Sequence, residues 1–196
     1  MTSRIHYDGC GMPKRPTVSR TTTPTTVLTI GHSTRSIESF IEMLRANGVK
    51  RVVDVRTIPR SRTNPQFNRE TLAQSLAEAG IGYTHAAELG GLRHARKDSL
   101  NTEWRNASFR GYADYMQTPE FEAAIESLIE AAKGEQITIM CAEAVPWRCH
   151  RSLIGDALKV RGIAVEDIMS ATRTQPHELT PFAKVKGTHV TYPAAD

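Results

Sequence analysis

The segment Met140–Ser152 reads M-C-A-E-A-V-P-W-R-C-H-R-S. It holds two thiols (Cys141, Cys149), a carboxylate (Glu143), an imidazole (His150) and two guanidinium groups (Arg148, Arg151). These residue types serve as nucleophiles, acids and bases, metal ligands and anion clamps. The near-continuous apolar run from Gln136 to Cys141 suits a strand buried on both faces. A helix is expected from about Cys149 to Arg161, stopped by Gly162. The cluster therefore spans a strand-to-helix turn. The first amides of such a helix are unpaired and its positive dipole end faces outward, which favours anions and lowers the pKa of a nearby thiol.

Three chemistries compete for this segment. The first is covalent catalysis by a cysteine on an anion-cradling loop. Six residues separate Cys141 from Arg148, and Pro146-Trp147 interrupts them, so the loop is longer than that chemistry commonly uses. The second is a metal site of Cys141, Cys149 and His150, where zinc is the fitting ion and His32 or His85 would have to supply a fourth ligand. The third is acid–base work or polar recognition by Glu143, Asp54 and His150, with arginines holding an anionic substrate. The third is the preferred reading, and it requires no cofactor. Each residue also has a plainer explanation. Cys141 and Cys149 would serve as packing, His32 would bond neighbouring backbone, and Asp54 with Arg56 would form a structural ion pair.

The elements that must position these groups follow from periodicity. Val27–Ile30 reads as a strand ended by Gly31-His32-Ser33. Ser36 is an N-cap for a helix from Ile37 to Ala46, whose Ile37, Phe40, Ile41 and Leu44 keep helical spacing, with Gly48 as its stop. Arg51–Val55 is the next strand, followed by a Pro- and Arg-rich loop, a helix from about Arg69 to Ala79 and a short strand Gly82–His85. Residues 86–108 form a long polar connection around Gly90-Gly91. Helices are expected over Tyr112–Met116 and Pro119–Lys133, a fifth strand over Ile163–Ile168, and an edge strand over Thr188–Tyr192. Strands alternating with helices indicate a three-layer α/β sandwich with an open, mainly parallel sheet of about five strands. Residues 1–25 read as a flexible lead-in, 26–185 as one α/β domain and 186–196 as a C-terminal tail.

Open α/β sheets bind ligands beyond the carboxyl ends of their strands. Three polar clusters fall there: His32, the pair Asp54 and Arg56, and the Cys141–Arg151 segment. The net charge of +4 is concentrated in two loop-like stretches, 50–69 and 93–110. An anionic small molecule or a nucleic acid is the expected partner. No apolar run of about 18 residues exists, which argues against a membrane partner. Three cysteines and no apolar leader give the expectation of a reducing, cytoplasmic setting.

Several short motifs recur together. They are T-I-G-H-S at Thr29–Ser33, V-D-V-R at Val53–Arg56 with Pro59, P-x-F-N at Pro65–Asn68, E-L-G-G-x-R at Glu88–Arg93, C-A-E at Cys141–Glu143 and C-H-R at Cys149–Arg151. In this combination the chain resembles the domain of unknown function family 488 from about Val27 to Ala183. The resemblance implies the same α/β fold and cleft. It implies that Asp54, Arg56, Phe67, Asn68, Gly90, Gly91, Arg93, Cys141, Glu143, Cys149, His150 and Arg151 gather as a signature set. Many members carry tyrosine where His32 stands, which argues against an indispensable ligand there. The resemblance implies no reaction.

The expected site therefore has Glu143, Cys141, Cys149, His150 and Asp54 as reacting groups. Arg56, Arg93, Arg151, Asn68, Gly90, Gly91 and His32 would bind the substrate, a nucleotide or nucleic-acid component handled by a hydrolase or transferase. Two alternatives stay open. One is a non-catalytic nucleic-acid-binding module using the two basic loops, and the other is a metal-binding domain using Cys141, Cys149 and His150.

Overall fold

A computed structural model of the chain describes residues 25–194. The N-terminal lead-in lies outside them apart from Thr25, and Cys10 lies outside with it. The central sheet contains β1 (Thr26–Gly31), β2 (Arg51–Asp54), β3 (Gly82–His85), β4 (Ile137–Cys141), β5 (Ala164–Ser170) and β6 (Arg173–Pro176). Their spatial order is β3-β2-β4-β1-β5-β6. All neighbours are parallel except β6, which returns antiparallel along β5. The three-layer α/β sandwich is thus present with six strands. β6 escaped the sequence reading because its residues, R-T-Q-P, are half-exposed to exposed and carry no apolar alternation.

Helices cover both faces. α1 (Ile37–Ala46) and α2 (Arg69–Glu78) pack Phe40, Met43, Leu44, Leu72 and Leu76 against Leu28, Ile30, Val52 and Met140. On the other face, α3 (Ala107–Tyr115), α4 (Pro119–Gly134) and α5 (Arg151–Lys159) pack against Val27, Val53, Ile137, Ile139 and Cys141. The alternation along β1, β2 and β4 is the two-residue period of a strand covered on both sides. The caps fit the expected chemistry: Ser36 accepts from the Ser39 amide, and Thr118 accepts from the Phe121 amide ahead of Pro119. Gly48 and Gly80 close their helices at φ +67° and +74°. α3 starts five residues before the expected Tyr112, because Asn106 caps it from within the polar connection by accepting from Ser108 and Phe109.

The C-terminal residues depart most from expectation. Thr188–Tyr192 does not edge the main sheet. Its core, β8 (His189–Thr191), forms a separate hairpin with β7 (Lys184–Lys186). Val190 and Tyr192 are buried in the core, so this segment is packed into the fold rather than trailing as a tail. Tyr192 donates to the buried Asp156 of α5, which also binds His177 and the Thr180 amide. Among the described residues, no helix is long and apolar enough to cross a membrane.

One topological point positions the site. β1 and β4 are neighbours, yet α1, which follows β1, lies on one face and α5, which follows β4, lies on the other. Chains leaving in opposite directions open a crevice at the carboxyl ends of the two strands.

Candidate functional site

A cleft of about 650 Å³ occupies that crevice. Its walls are the loop after β1 (His32–Thr34), the loop after β2 (Arg56–Asn64), Gly91 and Leu92, the start of α3, and the β4–α5 segment from Cys141 to His150.

The loops close on one another at two glycines. A Cβ on Gly31 would lie 1.8 Å from the Glu143 carbonyl oxygen, so only glycine lets the β4–α5 segment cross the end of β1. The pairing of β1 with β4 continues past the strands, with His32 donating to the Cys141 carbonyl and Ser33 to that of Ala142. A Cβ on Gly90 would lie 2.4 Å from Thr57 Oγ1, which fixes the loop around Gly90 against the loop after β2.

Cys141, Cys149 and His150 all reach the cleft. The two sulfurs and an imidazole nitrogen lie within 4.8 Å of one another. Cys149 Sγ is 3.7 Å from His150 Nδ1, while His150 Nε2 lies 3.1 Å from the Val55 carbonyl. A carbonyl only accepts, so Nε2 carries a proton toward Val55, and Nδ1 is the nitrogen that faces sulfur. The Tyr112 ring packs against the imidazole with centroids 5.0 Å apart. A hydrogen bond from Cys141 to Cys149, followed by burial, pushes the Cys141 thiol well above its usual value. That same bond holds Cys149 well below its usual value, aided by His150 and Arg151 and in spite of burial. The arrangement thus favours deprotonation at Cys149 over Cys141.

The expected unpaired helix amides are partly occupied. Ser152 N donates to the Cys149 carbonyl, and Leu153 N and Ile154 N to that of His150, so the first turn of α5 closes on itself.

Asp54 does not line the cleft and is fully buried. Its Oδ1 accepts from the Arg56 amide and Nε, and its Oδ2 accepts from Arg56 Nη2 at 2.5 Å and from Tyr83 Oη at 2.8 Å. Both oxygens are thus engaged, which corrects the expectation of a reacting carboxylate. Arg56 Nη2 also donates to the Phe67 carbonyl, and Nη1 faces His32 Nε2 at 3.3 Å. Arg56 is buried, with only an edge in the cleft wall. His32 is buried against Phe67, with ring centroids 4.2 Å apart. Its Nδ1 donates to the Ser33 carbonyl, so Nε2 accepts from Arg56. Burial, then the nearby Arg56 charge, lowers its pKa to about 4, against the stabilising Ser33 bond.

Arg93 and Arg151, expected to hold the anion, do not line the cleft. Arg93 donates to the Gly90 and Glu88 carbonyls and lies over the Tyr115 ring, 3.5 Å from its centroid. It stiffens the Glu88–Arg93 loop from behind. Arg151 is 1% exposed and donates to Thr29 Oγ1 and to the Glu143 carbonyl, beneath the β4–α5 segment. Among the described residues, its Nε has no hydrogen-bond partner. Asn68 accepts from the Ser61 amide and shapes the loop after β2 from outside the cleft. Neither histidine proposed as a fourth metal ligand is placed for it: His32 faces Arg56, and His85 Nε2 lies 2.8 Å from the Arg56 carbonyl.

Among the described residues, the cleft presents two arginines without hydrogen-bond or ion-pair partners, Arg60 and Arg148, and one lining carboxylate, Glu143. Leu92 and Ile58 stand on its rim with 70% and 64% of their surface exposed. Arg60 belongs to the basic loop seen in the sequence, yet nothing in its spacing sets it apart from Arg62 or Arg69. Tyr83, the partner of Asp54, carried no sequence signal, because its contact crosses from one strand to the next.

A family model described as "Domain of unknown function DUF488" matches residues 36–158, well over half of the chain. The chain belongs to this family. Comparisons with curated proteins and with solved structures gave no match.

Proposed function

We propose that the cleft binds an anionic organic substrate of the nucleotide class and that the protein is an enzyme acting on it. One observation carries this reading. The cleft sets the unpartnered Arg60 and Arg148 against a single lining carboxylate, next to the Cys149–His150 pair at its inner end. Guanidinium groups bind phosphate in a bidentate manner, and a cleft with low-dielectric walls strengthens that attraction. Ile58 and Leu92 give an apolar rim for a flat base or another uncharged part of the ligand. Glu143 is the acid–base candidate, since it is the carboxylate that lines the cleft.

Calorimetric titration of the full chain with nucleoside mono- and diphosphates tests this. Binding is expected to weaken about tenfold or more in Arg60→Ala/Arg148→Ala, with an unchanged unfolding midpoint. Absence of binding, or equal affinity in the double variant, overturns the proposal. Glu143→Gln is expected to retain binding and lose turnover.

A further inference from the structure

The thiols and the imidazole at the inner end of the cleft come from two elements. Cys141 is the last residue of β4, and Cys149 and His150 immediately precede α5. The crevice topology brings the three donors within 4.8 Å of one another, each with access to the cleft. His150 is oriented as a metal-bound imidazole is: its remote Nε2–H is fixed on a backbone carbonyl, that of Val55, and Nδ1 turns toward sulfur. A Cβ at Gly91 would lie 2.5 Å from that Nδ1, so glycine keeps the space beside the donor nitrogen free. Two sulfurs and one nitrogen are a borderline-soft donor set, which suits zinc and does not suit magnesium or calcium. Three protein donors with a fourth position open to a cleft is the pattern of catalytic zinc, whereas structural zinc is closed by four.

We propose that Cys141, Cys149 and His150 bind one zinc ion whose open fourth position faces the cleft. The site deepens the proposed function and rests on it for the substrate alone. An ion there would act as a Lewis acid on an oxygen of the anion held by Arg60 and Arg148.

The full chain, stripped with a chelator, is titrated with zinc chloride by calorimetry and with cobalt(II) by absorption. One-to-one binding is expected, with a sulfur-to-cobalt charge-transfer band and the strong ligand-field bands of four-coordinate cobalt. Cys149→Ser should lower zinc affinity by about 100-fold or more, since changes outside the ligand shell alone cost roughly 10- to 100-fold. Should that variant fail to fold, His150→Gln is the second test, because His150 is only partly buried; the same loss is expected. Substoichiometric binding, a cobalt spectrum without the sulfur band, or unchanged affinity in the variants overturns the proposal. Nucleotide titration of the stripped chain separates the two readings. Nucleotide binding without zinc binding removes the metal centre alone, and zinc binding without nucleotide binding removes the substrate assignment alone.

Discussion

At the carboxyl end of β2, Asp54 and Arg56 direct their polar atoms at the protein itself. At the carboxyl end of β4, Cys141, Cys149 and His150 turn theirs toward one another and toward an open cleft. The two groups stand at the ends of adjacent strands, where topology gives either one access to ligand. Both groups are buried, with Cys141 and Cys149 at 8% and 3% exposure, and it is hydrogen bonding that separates them. Asp54 is wholly enclosed and Arg56 is 7% exposed, and six polar contacts join them to each other, Tyr83, Phe67 and His32. A charge pair that deep is stable only when its hydrogen bonds are complete, and completeness leaves little for a substrate. Thiols tolerate burial with fewer partners than charges need, so the cysteines sit at the cleft wall facing each other and His150. Charged residues clustered at a strand end thus mark a site without saying which of them react.

The sharpest way to break this contrast is Asp54→Asn. It leaves Arg56 buried without its counter-charge and should destabilise the fold by about 3–5 kcal/mol, read from urea unfolding. A loss below about 1 kcal/mol would mean that the pair is not the scaffold described. Gly31→Ala comes next. Its methyl group meets the Glu143 carbonyl that Arg151 also binds, so a loss of about 1–3 kcal/mol is expected, together with altered alkylation rates at Cys149.

His32 predicts a pH effect of smaller size. The unfolded chain protonates this residue from about pH 6.5, and the folded form keeps it neutral down to about 4. Stability is therefore full above 6.5 and falls as pH drops toward 4, by about 2 kcal/mol at pH 5. His32→Asn should flatten that part of the stability profile. The smallest effect on stability belongs to the cleft arginines: Arg60→Ala and Arg148→Ala should each shift stability by no more than about 0.5 kcal/mol. Larger losses would place them in the scaffold with Asp54.

Much of the fold is readable in the residues. Periodicity locates α1 and α4, the apolar run locates β4, and Ser36 and Pro119 mark helix starts, because all of these are local signals. β6, β7 and the pairing of β8 into a hairpin were not readable, although a strand over Thr188–Tyr192 was. Arg173–Pro176 is held by pairing with β5, and Val190 and Tyr192 are buried through contacts with residues far earlier in the chain. The site divides in the same way. Cys141, Cys149, His150, Glu143 and the edge of Arg56 stand in the cleft as expected, whereas Asp54, Asn68, Arg93 and Arg151 support it from behind.

The sequence alone determined the α/β class, the family and the chemical inventory of the site, since these depend on local patterning and residue type. Only the tertiary structure decided which charges face solvent. An arginine's role depends on what lies within hydrogen-bond reach of its guanidinium, and for Arg151 those groups are Thr29 and the Glu143 carbonyl, one of them more than a hundred residues away in the chain.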